Sequence, residues 1–237
     1  MNVIEAYIKY AKHLVIFISG VSGSGISHLA KKMSKDLKIS HLSYAKFCRP
    51  DYNKKVTLPS GAEVINWDTD DVIDWELFNQ AIKNESPKGI IAYAPAFPIS
   101  KLDPLIIVTA HINIKLSKKN LYSRRVKYIK EHPEECEPIT PDDLLIFNRY
   151  TFPHYLQSQE NSVITKYLNA NEFAEDTQDN YDEKLADEAF KYIINVIEKW
   201  LEKNRPPDKN PSDKSPIEDS DDDDNELEDE GYSILYR

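Results

Sequence analysis

The stretch LVIFISGVSGSGISHLAKKM, residues 14–33, decides the fold. An almost continuous apolar run leads into three glycines and then into apolar residues at helical spacing, which predicts a strand, a tight turn and a helix. Gly20, Gly25 and Ser27 have the spacing of the phosphate-binding pattern G-x-x-x-x-G-K-[ST]. Ile26 occupies the lysine position of that pattern.

The glycine-rich turn keeps most of the chemistry that binds phosphate. Glycines allow several backbone N–H groups to point at one anion, and the helix that follows adds its dipole. We therefore predict a nucleotide-phosphate site, with the Ser27 hydroxyl as the candidate Mg²⁺ ligand. Its residues are Gly20, Ser22, Gly23, Ser24, Gly25 and Ser27. Ile26 cannot supply the ammonium group that neutralises the β- and γ-phosphates. The alternative interpretation of this stretch is a glycine-rich turn that binds no ligand.

The acidic net charge is confined to one end of the chain. Residues 206–230 contain twelve acidic residues and two lysines, which account for the whole net charge of −10 and leave 28 basic and 28 acidic residues elsewhere. A balanced body argues against a dedicated nucleic-acid surface. The longest apolar runs are too short to span a membrane, and two cysteines suggest no disulfide framework. These features predict a cytoplasmic protein, with the nucleus as the alternative.

Apolar runs of strand length alternate with helical patterns. The predicted strands are residues 13–19, 40–45, 88–94, 104–112 and 162–168. This alternation predicts a doubly wound, mainly parallel five-stranded α/β sheet. We divide the chain into an N-terminal helix (1–12), an α/β domain (13–203) and a disordered acidic tail (204–237).

Three further segments give local predictions. TLPSGAEV (57–64) has the Pro and Gly of a turn or hairpin. TPDDLLIFNRYTFPHYLQSQ (140–159) predicts two helical pieces separated at Pro153, with Thr140 as the N-terminal cap of the first. A last helix, from about residue 182 to 201, is predicted to bury an apolar face that includes Phe190.

Six segments in order resemble the uridine kinase superfamily of P-loop nucleoside kinases, and within it the nicotinamide riboside kinases. They are ISGVSGSGISHLAKKM, SYAKFCRP, NWDTDDVIDWELFNQAI, LDPLIIVTAHINIKL, LYSRRVKY and RYTFPHYLQSQ. The resemblance covers about residues 13–200. It implies a P-loop kinase fold with a helical lid, and ATP and Mg²⁺ as cofactors.

The resemblance also implies roles for individual residues. Asp68 matches the carboxylate that holds the ribose hydroxyls, and Trp67 matches the aromatic residue beside the base. Arg124 and Arg125 approximately match lid arginines that clamp phosphates. The alternatives are a tryptophan that only packs and a basic helix face that is only solvated.

The positions that match the family's catalytic residues are changed. Ile26 replaces the lysine, Ala45 and Lys46 replace an Asp–Asp pair, and Ala92 replaces an acidic residue after the third strand. A protonated lysine cannot act as the general base. The prediction is a pseudokinase that binds nucleotide or nucleoside, with phosphotransfer weak or lost.

Two alternatives to the pseudokinase stay open. One is an active ATP-dependent kinase for nicotinamide riboside or a pyrimidine nucleoside, in which Lys46 swings in to replace the loop lysine. The other is a non-catalytic protein-interaction module. In the acidic tail, Ser220 precedes four aspartates, the surroundings that an acid-directed protein kinase prefers, and an unmodified solubilising tail is the alternative. The terminal GYSILYR would be a docking peptide for a protein partner. We expect no nucleic-acid or membrane partner.

Overall fold

The computed structural model describes residues 2–131, 133–134 and 138–204. Its strands are β1 Val15–Gly20, β2 Ser40–Ser43, β3 Lys55–Thr57, β4 Glu63–Ile65, β5 Ile90–Ala94, β6 Ala110–Lys115 and β7 Lys166–Asn169. Its α-helices are α1 Val3–Ala11, α2 Ile26–Leu37, α3 Trp75–Glu85, α4 Lys118–Glu131, α5 Pro141–Ile146, α6 Phe152–Glu160 and α7 Gln178–Asn204. Of the predicted tail (204–237), only Asn204 is described, as the last residue of α7, and Ser220 and GYSILYR lie outside the described residues.

The predicted five-stranded parallel sheet is confirmed, in the order β2-β5-β1-β6-β7. All six residues of β1 are buried, as expected for the central strand. The chain moves to opposite sides of β1 in its two halves, so the carboxyl end of β1 is a topological switch point, where α/β proteins bind ligands. The glycine-rich turn follows β1 directly and therefore lies at this point.

Two hydrophobic clusters hold helices against the two faces of the sheet. One joins α1, α2 and α7 to β1 and includes Tyr7, Met33 and Leu185. The other joins α3 to the sheet and contains Phe17 and Phe97, whose rings stack at 4.0 Å. The sheet edge that carries the switch point is thus fixed from both sides. None of the described helices has the length and apolar character needed to cross a bilayer.

The fourth predicted strand was placed too early in the chain. Residues 104–109 connect elements, with Leu105 76% and Ile107 62% exposed, and the strand is Ala110–Lys115. Its buried His111 and Asn113 make polar contacts that compensate for their burial, so apolar character alone misplaced the strand. The last strand also begins later, at Lys166.

The smaller predictions have mixed outcomes. The hairpin is confirmed as β3–β4, and Thr140 caps α5 through its hydroxyl, which accepts a hydrogen bond from the Asp143 N–H at 3.1 Å. The break at Pro153 is wrong, because helical structure continues through a π-helical turn, Phe147–Thr151, into α6. Pro153 follows this π-helical turn directly, and such an irregularity accommodates a residue without an N–H inside a helical run. Phe190 is 39% exposed rather than buried.

Candidate functional site

The glycine-rich turn wraps the carboxyl end of β1. Gly23 and Gly25 have φ of 86° and 95°, a conformation that strains other residues. A Cβ on Gly20 would lie 2.5 Å from Ser24 Oγ, so Gly20 is needed for close approach within the turn itself. Gly25 is the N-terminal cap residue of α2 and makes no side-chain cap hydrogen bond. The local sequence therefore builds an anion-compatible helix start.

The first cavity opens over this turn and has a volume of ≈ 640 Å³. We call it the loop cavity. Its lining includes Ser22, Gly23, Gly25, Ile26, Ser27, Arg124, Arg125 and Phe147. Gly20 and Ser24 do not line it: Ser24 is fully buried, and its hydroxyl has no hydrogen-bond partner among the described residues. Most of the predicted phosphate-site residues and both arginines are therefore brought together.

Helix α7 forms an unpredicted part of this site. The guanidinium carbon of Arg124 lies 3.3 Å from the centroid of the Tyr181 ring, and Tyr181 donates a hydrogen bond to the Ser24 carbonyl at 2.9 Å. Gln178 accepts a hydrogen bond from Arg124 Nη2 at 2.6 Å. Burial raises the pKa of Tyr181 to about 12, so its hydroxyl stays protonated. Only the apolar face of this helix is visible in the sequence pattern, and these contacts lie at its first turns.

The second cavity adjoins the first and has a volume of ≈ 400 Å³. We call it the acidic cavity, because it is lined by three carboxylates, Asp68, Asp70 and Asp143, but by only one arginine, Arg125. Its aromatic lining comprises Tyr44, Trp67, Trp75, Phe147 and Tyr155. Flat faces beside carboxylate acceptors suit a ligand that carries both a ring and hydroxyl groups.

The Asn-Trp-Asp segment is folded as a turn that presents Asp68 to the acidic cavity. The Asp68 N–H donates to Asn66 Oδ1 at 3.1 Å, and Asp68 Oδ2 accepts from the Thr151 hydroxyl at 2.7 Å. Trp67 is 56% exposed and lies 5.9 Å from the Tyr52 ring, centroid to centroid. Trp67 and Asp68 therefore share one cavity wall and are available to a ligand.

The nearby acidic residues serve different partners. Asp71 pairs with Lys54 at 2.6 Å, and Asp74 caps α3 by accepting from the Leu77 N–H at 3.1 Å. Asp70 Oδ1 lies 3.3 Å from His154 Nε2. Across the described ranges, no group of three or more His, Cys, Asp or Glu side chains is arranged to hold a metal ion.

His154 and its neighbours do not form a catalytic relay. Its Nε2 lies 3.3 Å from Ser158 Oγ as well as 3.3 Å from Asp70 Oδ1. A Ser-His-Asp triad needs the serine and the carboxylate on different ring nitrogens. The arrangement therefore holds His154 in the cavity wall without activating Ser158.

The two cavities meet at shared residues, namely Ser22, Arg125, Asp143 and Phe147. Hydrogen bonds from the Thr140 backbone and hydroxyl hold the pKa of the Asp143 carboxyl below its ordinary value, and Arg125 adds a smaller effect in the same direction. Asp143 is therefore an anion at neutral pH. The junction thus contains one fixed negative charge and one arginine.

The structure separates the four positions that differ from the kinase pattern. Ile26 lines the loop cavity and packs against the hydrophobic core. Ala45 and Lys46 are exposed and line neither cavity, whereas Tyr44 lines the acidic cavity. Ala92 is fully buried in the cluster of Phe17 and Phe97, away from both cavities. Only the change at Ile26 thus lies at a cavity wall.

A buried hydrogen-bond network lies behind both cavities. His111 Nδ1 lies 2.8 Å from the Val163 carbonyl, which can only accept, so Nδ1 carries the proton and Nε2 accepts from the Ser19 hydroxyl at 2.8 Å. Asn113 donates to Ser19 Oγ at 2.9 Å and accepts from the Tyr155 hydroxyl at 3.2 Å. The network connects the strand before the glycine-rich turn to α6 in the acidic cavity.

Two solved structures of known proteins are similar to this chain over most of its length. A gluconokinase from Sinorhizobium meliloti 1021 matches with a TM-score of 0.50 and 13% sequence identity, over 80% of this chain and 97% of that chain. An unliganded sugar kinase from Janibacter sp. HTCC2649 matches with a TM-score of 0.47 and 14% identity, over 78% of this chain and 98% of that chain. No protein-family model and no curated protein sequence matches. The chain thus shares its α/β fold with this gluconokinase, while the resemblance to uridine and nicotinamide riboside kinases stays a prediction.

Proposed function

We propose that this protein binds nucleotide and nucleoside in its two adjoining cavities and that its phosphotransfer activity is weak or lost. One observation carries the proposal. The glycine-rich turn has Gly23 and Gly25 at positive φ and lines a cavity, while the residue at the lysine position, Ile26, is apolar and packs against the core.

The sizes and positions of the cavities support two ligands. Their volumes, ≈ 640 and ≈ 400 Å³, fall within the range of about 300 to 1,000 Å³ that is typical of small-molecule sites. The loop cavity offers backbone N–H groups and two arginines, which suit phosphates. The acidic cavity offers Asp68 for ribose hydroxyls and Trp67 for the face of a base.

The residues of the loop cavity fit ATP and Mg²⁺ in part. Ser27 supplies a hydroxyl of the type that ligates Mg²⁺ in phosphate loops, and Arg124 and Arg125 supply positive charge. Bound Mg²⁺ would neutralise phosphate charge. Ile26 supplies none, so the charge that develops during transfer lacks its usual stabilising group.

An active kinase is the second candidate, and the acidic cavity favours it. Asp68, Asp70 and Asp143 line this cavity, and a carboxylate can accept the proton of an attacking hydroxyl. The base expected at Ala45 or Lys46 would then come from a different segment. Its substrate would be nicotinamide riboside or a pyrimidine nucleoside.

Calorimetry separates binding from a pure interaction module. We expect saturable heats with Mg·ATP and with at least one of uridine, nicotinamide riboside and gluconate, the last being included because of the fold similarity. A Gly25→Ala variant should lose the nucleotide heat, because Gly25 has φ of 95° and its Cβ would lie 3.2 Å from Tyr181. Heats equal to those of buffer for the wild-type protein would leave only the interaction module.

Restoring the lysine tests whether transfer is the property that was lost. Ile26→Lys should raise the single-turnover rate of phosphotransfer by at least about tenfold, since one such charge commonly contributes about 3 kcal/mol in the transition state. Ala92→Glu is unsuitable for this purpose, because it would place a carboxylate in a hydrophobic cluster. An Ile26→Lys protein that binds Mg·ATP normally but shows no gain would contradict this explanation of the missing activity.

A further inference from the structure

We propose that Arg124 takes the place of the missing loop lysine, and that Tyr181 and Gln178 of α7 hold its guanidinium at the phosphate loop. This inference rests on the proposed nucleotide binding. It assigns the positive charge of the phosphate site to one side chain outside the loop, and it assigns a positioning role to two residues of α7.

A continuous set of contacts connects the guanidinium to the loop backbone. Gly25 lies against Tyr181, since a Cβ on Gly25 would be 3.2 Å from Tyr181 Cε1. The Tyr181 hydroxyl donates to the Ser24 carbonyl at 2.9 Å. On Tyr181, the guanidinium carbon of Arg124 lies 3.3 Å from the ring centroid. The guanidinium of Arg124 and the glycine-rich turn thus both contact Tyr181, which holds the charge beside the turn.

Gln178 sets the orientation of the guanidinium. Its Nε2 donates to both carboxylate oxygens of Asp182 at 2.9 Å, which directs its Oε1 towards Arg124. That oxygen accepts from Arg124 Nη2 at 2.6 Å. A carboxylate in direct contact would neutralise the charge of Arg124. The neutral amide of Gln178 restrains the side chain and leaves its charge uncompensated. The guanidinium therefore keeps its charge for a ligand.

Arg124 also has unmet hydrogen-bonding capacity. Its Nε–H is buried and has no acceptor among the described residues. A buried, unpaired donor on a cation is costly, so Arg124 carries an unsatisfied polar group beside the cavity. Arg124 lines the loop cavity together with Gly23, Gly25 and Ser27, where a phosphate would lie.

The two arginines of α4 differ in a way that separates their roles. Arg125 lines both cavities and is exposed, whereas Arg124 lines only the loop cavity and is partly buried against Tyr181. Arg125 is thus placed at the junction, and Arg124 at the phosphates. The competing explanation is that Arg124 only ties α4 to α7.

Calorimetry with inorganic pyrophosphate and with Mg·ATP distinguishes these explanations. Arg124→Gln should bind both ligands at least about tenfold more weakly, the usual effect of losing a charged hydrogen-bonding partner. Arg124→Lys should recover little, because an ammonium lacks the planar fork that stacks on Tyr181 and bonds Gln178. Lys127→Gln is the matched control: it removes a charge from the same helix, outside both cavities, and should bind like the wild type.

The decisive variant moves the charge back into the loop. Ile26→Lys combined with Arg124→Gln should bind pyrophosphate within about threefold of the wild type. If the wild type binds and Arg124→Gln binds with the same affinity, the inference is overturned but the proposed function is not. A double variant that binds no more tightly than Arg124→Gln has the same meaning. A wild-type protein that binds neither ligand would overturn the proposed function as well.

Discussion

The loop cavity and the acidic cavity are built in different ways. One wall of the loop cavity comes from one short stretch, residues 22–28, in which Gly23 and Gly25 have positive φ. The acidic cavity is assembled from residues between 21 and 158, and its polar groups are mostly side chains. A backbone site depends on glycine conformations, whereas a side-chain site depends on the identity of each residue.

This difference suggests how each cavity responds to sequence change. The glycine-rich turn adopts its backbone conformation with Ile26 at the lysine position of the pattern, because the backbone does not need lysine to fold. Ala45 and Lys46 do not line the acidic cavity. The carboxylates that do line it, Asp68, Asp70 and Asp143, come from other segments of the chain. The buried network of Ser19, His111 and Asn113 joins the two regions.

The largest expected effect is a loss of stability at acid pH, and it arises in the buried network of Ser19, His111 and Asn113. Burial lowers the pKa of His111 from 6.5 to about 4, partly opposed by its hydrogen bond to Val163. Between these values the unfolded chain binds a proton that the folded protein does not, so stability falls as the pH decreases from about 6.5 to 4. The shift corresponds to about 3 kcal/mol. Urea unfolding at pH 7, 5.5 and 4.5 measures this loss.

The variant His111→Gln should flatten this pH dependence. His41→Gln, at an exposed histidine, controls for removing an imidazole as such. If His111→Gln lost stability over the same range as steeply as the wild type, the network would not be the origin of the acid sensitivity.

The next effect tests the backbone character of the loop cavity. Gly20→Ala should lower the free energy of unfolding by about 2 kcal/mol, because its Cβ would lie 2.5 Å from Ser24 Oγ and 3.2 Å from the Ile114 carbonyl. Gly61→Ala, in the β3–β4 turn, has φ of 86° but no atom within 4 Å, so only backbone strain of about 1 kcal/mol applies. Chemical denaturation of both variants checks the order; equal losses would show that Gly20 is not tightly packed.

A third prediction concerns the side-chain character of the acidic cavity. Asp68→Asn keeps an oxygen for the Thr151 hydroxyl but removes the charge, and nucleoside affinity should fall by about tenfold, or about 1.4 kcal/mol. Nucleotide affinity at the loop cavity should stay unchanged. Asp71→Asn is the matched control, because Asp71 pairs with Lys54 and lines neither cavity. Titration calorimetry measures the nucleoside affinity of both variants. Equal losses of affinity would show that Asp68 does not bind the nucleoside.

The smallest effect concerns Trp67. Trp67→Ala should weaken nucleoside binding by about 1 kcal/mol, the usual contribution of one aromatic stacking contact. Stability should hardly change, because the side chain is already 56% exposed. Thermal melting checks this, and the fluorescence of the remaining tryptophans reports on binding. Unchanged affinity would mean that Trp67 only packs against Tyr52.

The sequence predicted the sheet and the loop but not the full set of cavity residues, and the reason is physical. A glycine-rich turn after an apolar strand is a local pattern, so its position could be predicted from periodicity and spacing alone. The contacts of Arg124 with Tyr181 and of Thr151 with Asp68 join residues 57 and 83 positions apart in the chain, so no local pattern reports them. Strand β6 was misplaced because its buried residues include His111 and Asn113, which pattern reading treats as exposed.

Single-turnover phosphotransfer by the wild-type protein tests the central claim most directly. Protein in excess over γ-labelled Mg·ATP is mixed with each nucleoside, under conditions where calorimetry shows the nucleotide to be bound. We predict bound nucleotide and a transfer rate at least a hundredfold below about 1 s⁻¹, the lower end of ordinary kinase turnover. Transfer at about 1 s⁻¹ or faster would contradict the account and make this protein a working kinase.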